Sequence, residues 1–260
     1  MKKNLAFLLL LLFCFSMFFS CEKKNTSTTT TSSSSTSSSN HTSTQPLFTT
    51  STTNDEEETW YLVEETWISS QSITYKYYYN IDYMLVKYEI FSDGILNSTV
   101  EIEYDENGYK NYEKSQSEFG FVMEVYYTND ANGRVLEQRS LINGGNESIT
   151  LFEYTDTNGS YVKTHEASGS TETVTVDTHG NVTKEEDNFG TTTIYENTYN
   201  GNLLIETKAT RTESTYTTIT TIEYEYDAYG NLIATTTLDE DGTVSQTITY
   251  TYAKNVVFVD

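Results

Sequence analysis

The chain has 260 residues, with 38 Asp and Glu against 15 Lys and Arg, a formal charge of −23 and 22 tyrosines. The length suits one large β domain or two small ones. Basic residues are what neutralise phosphates and draw proteins to anionic lipid, so nucleic acid and acidic bilayer surfaces are not expected partners.

The N-terminus reads Lys2-Lys3, an apolar run from Leu5 to Phe15, then Ser16-Met17-Phe18-Phe19-Ser20 before Cys21. A basic segment, an apolar segment and a small residue directly before a cysteine resemble a bacterial lipoprotein signal peptide. The resemblance implies cleavage after residue 20 and a lipid on Cys21, although Phe18 stands where the usual motif has Leu. The apolar stretch is short for a membrane span of ~20 residues, which favours export over a transmembrane anchor. Cleavage would remove Cys14 and acylation would consume Cys21, leaving no thiol for a disulfide, a thiolate metal site or a Cys nucleophile. Loss of Lys2 and Lys3 takes the charge from −23 to −25.

Residues 21–55 are predicted to be a flexible tether. From Asn25 to Asn54 the chain is almost entirely Ser and Thr, unbroken from Thr26 to Ser39, and Pro46 is the only proline. Such a stretch cannot bury enough surface to offset its ordering entropy. A coil of about 30 residues reaches ~30 Å. The composition permits O-linked sugars. The acidic run Asp55 to Glu58 reads as a solvated hinge in preference to a metal site, and all the tyrosines, with Trp60 and Trp67, lie beyond it. The folded domain is therefore placed at residues 56–260.

That domain carries an internal repeat. Tyr226-Asp227-Ala228-Tyr229-Gly230-Asn231-Leu232 is echoed by Tyr104-Asp105-Glu106-Asn107-Gly108 and by Val176-Asp177-Thr178-His179-Gly180-Asn181-Val182. Looser copies put glycines at 133, 159 and 201, and a second glycine series lies between them at 94, 120, 144–145, 169, 190 and 242. Glycine supplies the positive φ of tight hairpin turns and Asp or Asn tolerates it, so two alternating turn series imply strands running up and down. Period-two alternation agrees: Ile73, Tyr75, Tyr77 and Tyr79 share one parity, as do Ile222, Tyr224 and Tyr226, with Glu and Thr between.

The Y-D-x-x-G-N-L unit resembles the YD repeat of Rhs-family proteins, matched by Tyr226, Asp227, Gly230, Asn231 and Leu232. The resemblance implies repeats that form a spiralling β-sheet. Too few repeats are present for a shell and no proline follows Pro46, so only the fold tendency carries over. In physical terms, Tyr ends a strand on the apolar face and Asp accepts from the turn backbone. Gly takes the left-handed position and Leu restarts the next strand on the buried side.

Both turn series together predict ~12–14 strands, and open sheets beyond ~10 strands curl or split. The expectation is an all-β antiparallel meander forming one large, strongly curved sheet, with a closed barrel as the alternative. Its tyrosine face should line the inside and its Thr, Glu and Asp face should meet water. An outer-membrane barrel shares the alternation, but here the apolar parity is mostly tyrosine and both turn series are short.

Catalytic signals are sparse. His165 and His179 read as solvated turn residues without metal-ligand spacing, and no Gly-x-Ser-x-Gly elbow accompanies Asp177 and His179. The turn Asp239-Glu240-Asp241-Gly242 reads as an ordinary hairpin in preference to a Ca²⁺ loop. No cofactor is expected. The leading functional expectation is a lipid-anchored, non-catalytic envelope protein binding carbohydrate or an envelope protein. The alternatives are a secreted polysaccharide-acting enzyme with an Asp/Glu pair, an outer-membrane β-barrel, and a purely structural repeat protein.

Overall fold

A computed structural model of the chain describes residues 59–254, 256, 258 and 259. Among them are sixteen strands and no helix. The first eight are β1 (Tyr61–Ile68), β2 (Ser72–Tyr79), β3 (Leu85–Ser92), β4 (Ile95–Tyr104), β5 (Lys110–Ser117), β6 (Val122–Asn129), β7 (Val135–Ile142) and β8 (Asn146–Tyr154). The second eight are β9 (Tyr161–His165), β10 (Ser170–Val176), β11 (Val182–Asp187), β12 (Thr192–Asn200), β13 (Leu203–Glu213), β14 (Tyr216–Tyr226), β15 (Leu232–Asp239) and β16 (Val244–Ala253). Each pairs antiparallel with its chain neighbours, and β1 pairs with β16 from Tyr61↔Ala253 to Ile68↔Thr247.

The meander therefore closes into a barrel, the alternative to the open curved sheet. Closure gives partners to the two rows of backbone donors and acceptors that an open sheet would leave at its edges. The strand number exceeds expectation for a local reason. Twelve hairpin turns use glycine, while the turns at Ser69–Gln71, Asn80–Tyr83 and Ser214–Thr215 do not, and a glycine count passes over them. Tyr83 and Ser214 take the positive φ themselves, at 61° and 52°.

One face of the sheet lines the inside, and most of the tyrosines lie on it, while Tyr78, Tyr112 and Tyr126 lie on the other. Tyr77 and Tyr79 of β2, Tyr88 and Ile90 of β3, and Val100 and Ile102 of β4 are buried together with Tyr61 and Leu62. Tyr250 and Tyr252 of β16 pack on this cluster across the closing seam. Burial of the rings then thins along the wall: on β8 to β14 the inward rings Tyr154, Tyr161, Tyr195 and Tyr224 are only half-buried.

Sixteen strands at ~4.8 Å spacing and ~40° tilt close into a ring roughly 30 Å across, wider than side chains from the wall can fill. No strand's backbone approaches any but its two neighbours. Both ends of the described chain lie at the YD-turn rim, where Tyr61 faces Ala253 and Val259 N donates to Tyr79 O.

Candidate functional site

The YD residues gather on that rim and fasten it. Asp105 Oδ1 accepts from the backbone N–H of Asn107 and Tyr109, and Asp177 Oδ1 from those of His179 and Asn181, all at 2.9 Å. Asp227 Oδ1 accepts from Tyr229 N and Asn231 N at 2.8 and 2.9 Å. Gly108, Gly180 and Gly230 follow at φ of 80°, 78° and 84°, where a side chain would be strained. The Asn231 side chain is buried with Nδ2 on Asp227 Oδ2, and Leu232 is buried beside it.

The tyrosines of several units reach back one repeat. Tyr104 OH donates to Leu85 O at 2.7 Å and Tyr226 OH to Leu204 O at 2.8 Å, as Tyr79 OH does to Leu62 O. Where the motif has Asn129 instead, its Nδ2 donates to Lys110 O at 2.9 Å. Aspartate thus closes its own turn while tyrosine ties that turn to the one before. Burial opposes ionisation of Asp177 and Asp227, yet the hydrogen bonds they accept hold both carboxyls below the usual range. Cys21 and the tether lie outside the described residues.

The inner wall from β8 to β14 is both aromatic and polar. Phe152 and Tyr154 lie against Tyr161 with ring centres 5.6 and 5.7 Å away. Tyr195 OH donates to Glu185 Oε2 at 2.7 Å, and Lys163 pairs with Glu172 at 2.9 Å. Tyr224 OH, Thr207 Oγ1 and Asn197 Oδ1 form a relay with steps of 3.4 and 2.9 Å. Burial, reinforced by Glu185, pushes the Tyr195 hydroxyl well above its ordinary range, and burial raises Tyr161 and Tyr224 too. These hydroxyls therefore stay protonated at any physiological pH and act as donors.

Toward the seam the same face is dry. Glu65 accepts from Tyr77 OH at 2.7 Å and from Trp67 Nε1, and burial raises its carboxyl above the usual range. Lys110 Nζ sits 3.0 Å from Glu113 Oε2, with both side chains at most 6% exposed, and 4.3 Å from the Tyr127 ring centre.

Strict alternation puts Lys110 and Glu113, three apart, on opposite faces; the structure puts both inside. At the turns on this rim, the one after Tyr154 excepted, a register shift adds a residue before the next strand settles, here between Glu103 and Tyr104 opposite Lys110. Leu85 with Tyr88, and Leu232 with Thr235, share the same three-residue spacing and are likewise buried on one face. The repeated turn motif was the available signal for that shift.

Of the two histidines, His165 departs from its expected solvated state. His165 Nδ1 lies 2.9 Å from Thr150 Oγ1 on the inner face, and burial, then Lys163, holds its pKa down. His179 remains exposed on its turn but stacks on Tyr199, ring centres 4.3 Å apart. In the acidic turn, Asp241 Oδ1 accepts from Thr243 N at 2.9 Å.

The outward parity carries charge on many strands, as at Glu101 and Glu103 on β4, Lys184 and Glu186 on β11, and Glu223 and Glu225 on β14, with exposed Tyr126, Leu151 and Ile194 on the same face. A lipid-facing band would be apolar, since a Lys or Arg at mid-bilayer on such a face costs about 2–4 kcal/mol. A cleft of about 300 Å³ between β4 and β5 on this side is lined by Thr99, Glu101, Lys114 and Gln116.

No protein-family model matches the chain, and no curated protein matches it in sequence. Among solved structures, a porin-like protein from Bacteroides uniformis is similar at 17% identity and a TM-score of 0.49, over 74% of this chain and 98% of that one. A TcdB2–TccC3–Cdc42 structure is similar at 15% identity and a TM-score of 0.32, over 67% of this chain. A TcdB2–TccC3–TEV structure follows at 11% identity and a TM-score of 0.26, over 77% of this chain. The matched part spans 10% and 14% of those two chains.

Proposed function

We propose that the protein is a lipid-anchored, non-catalytic component of a bacterial cell envelope whose barrel binds carbohydrate along its inner wall. One observation carries the reading: the inward tyrosines Tyr154, Tyr161, Tyr195 and Tyr224 of β8 to β14 remain half-buried although the wall closes around them. In the seam-side cluster Tyr77, Tyr79 and Tyr88 are buried by comparison. A half-buried ring with a protonated hydroxyl beside carboxylates and amides offers an apolar face to sugar C–H groups and donors to sugar oxygens. The charged outer wall favours a barrel standing in water, with attachment left to the lipid on Cys21.

Two measurements test this. Full-length protein carrying Cys21→Ala is expected to leave the detergent phase while keeping its β-sheet circular dichroism; unchanged partition would remove the lipid anchor from the reading. On a glycan array the full-length protein is expected to bind saturably, with loss in Tyr195→Ala and retention in Tyr126→Ala on the outer wall. Binding that ignores the inner substitution, or binding to peptides alone, would overturn the carbohydrate reading.

A further inference from the structure

The chain's charge is distributed very unevenly between the two faces of its wall. Residues 59–260 hold 33 of the 38 Asp and Glu and 11 of the 15 Lys and Arg, which is −22 of the −23. The inner face carries little of that excess. Its carboxylates are mostly matched: Glu113 lies on Lys110 at 3.0 Å and Glu172 on Lys163 at 2.9 Å. Glu65 is enclosed with two neutral donors, Tyr77 and Trp67. Glu185 takes the Tyr195 hydroxyl, while Arg211, inward on β13 opposite Thr193, pairs with Glu213 at 3.5 Å.

Between these pairs the inner parity is mostly tyrosine, threonine, serine and amide, groups that exchange hydrogen bonds without carrying charge, with the apolar Val174 and Ala209 among them. The contrast has an electrostatic meaning. A strongly anionic ligand would meet no unpaired cation inside and would have to pass an acidic exterior. A polycation would be drawn to the outer wall, where unmatched carboxylates are plentiful, and would gain little by entering. An uncharged polyol loses least, because every donor and acceptor it brings can meet a hydroxyl or an amide, and its C–H faces can meet a ring.

We propose that the inner wall between β9 and β13 is a subsite for an uncharged oligosaccharide, with Tyr161 and Tyr195 as its platforms and the Lys163–Glu172 pair keeping it electrically balanced. This rests on the carbohydrate reading above and narrows it to one ligand class. Glu185 is then an acceptor for sugar hydroxyls, and Lys163 keeps Glu172 from presenting an unmatched negative charge to the sugar.

The test is calorimetric titration of the full-length protein, purified in a zwitterionic detergent that bears no sugar headgroup. The probes are three hexasaccharides: a neutral glucan, a fully anionic oligogalacturonate and a protonated glucosamine oligomer. The neutral chain is expected to bind at least tenfold more tightly than either charged chain. Tyr161→Ala and Tyr195→Ala should each weaken it tenfold or more, and Tyr126→Ala should leave it unchanged. Lys163→Gln, which unmatches Glu172 without touching a ring, should raise the relative affinity for the glucosamine oligomer at least fivefold, with β-sheet circular dichroism unchanged. A preference for a charged hexasaccharide that still depends on Tyr195 would overturn the neutral class and leave the inner-wall reading standing. Binding of none of the three, or binding indifferent to all three inner substitutions, would overturn both.

Discussion

The buried pair of Lys110 and Glu113 provides the sharpest energetic test of the inner wall. Its side chains are 6% and 4% exposed, its N–O distance is 3.0 Å, and the ammonium lies over the Tyr127 ring. Glu113→Gln keeps the volume but leaves the ammonium opposite a neutral amide in a dry wall. Breaking a buried pair from one side costs ~3–5 kcal/mol because the remaining charge is uncompensated. That is a large share of a total stability of ~5–15 kcal/mol, and at ~2–4 °C per kcal/mol it corresponds to a fall of about 6–20 °C in Tm. Replacing both residues together, as Lys110→Met with Glu113→Leu, removes both charges and the hydration they forgo, so that variant should return to within ~1 kcal/mol of the parent or exceed it. Urea midpoints for the parent, two singles and the double give the coupling directly. A single substitution costing less than about 1 kcal/mol would mean that water reaches the pair, and the dry seam-side face would have to be abandoned.

Five further outcomes follow from particular residues. Asp227→Ala removes the acceptor for Tyr229 N, Asn231 N and Asn231 Nδ2 and should cost ~1–3 kcal/mol in urea midpoint. Asp177 and Asp227 have depressed pKa values when folded, so their stabilisation is present above the unfolded value and lost as pH falls through the folded one. Asp177→Asn with Asp227→Asn should therefore flatten the acid side of the stability profile and leave its slope above pH 6 alone. Glu65 has the opposite sign: its raised value makes stability fall as pH climbs from the unfolded value through the folded one, so Glu65→Gln should match the parent at pH 4 and exceed it at pH 8. At the rim, a Cβ on Gly133 would lie 2.4 Å from the Tyr109 ring, whereas one on Gly108 meets nothing within 4 Å. Both sit at positive φ, so Gly108→Ala reports backbone strain and Gly133→Ala should lose measurably more in Tm. Phe119 and Phe189, 91% and 78% exposed on the opposite rim, should tolerate Ser within ~0.5 kcal/mol while retention on a phenyl column drops.

Much of the fold was legible because the meander is written locally. Tyr226, Asp227, Gly230 and Leu232 state strand, turn and strand within seven residues, and the parity of Tyr75 and Tyr77 gives the inner face before any partner is known. Closure was not legible, since β1 and β16 meet through a register that no local pattern records. The inner ion pairs were hidden for a different reason. The register shift at Tyr104 moves Lys110 onto the face of Glu113, so counting in twos places a buried pair on opposite sides of the sheet. Glu65 was equally silent: beside Glu64 it reads as one more wet-face acid, and only the strand's inward parity gives it Tyr77 and Trp67 as donors.

Closure also accounts for where the packing lies. Fifteen of the sixteen strand pairings join chain neighbours through short turns, and each forms at the small entropic cost of a tight hairpin. The sixteenth joins Tyr61–Ile68 to Thr247–Ala253, almost the whole domain apart, and its loop-closure entropy is the largest in the molecule. The tyrosine cluster sits against that joint: Tyr61 on Tyr79 and Tyr83, Trp67 on Tyr75, and Tyr250 and Tyr252 on the core of β1 to β4. Apolar burial is thus concentrated where local hydrogen bonds alone would be weakest. The opposite wall, held by its hairpins and by tyrosines reaching back one repeat, does not need the same depth of packing, and its rings remain half-exposed on the face assigned to the ligand.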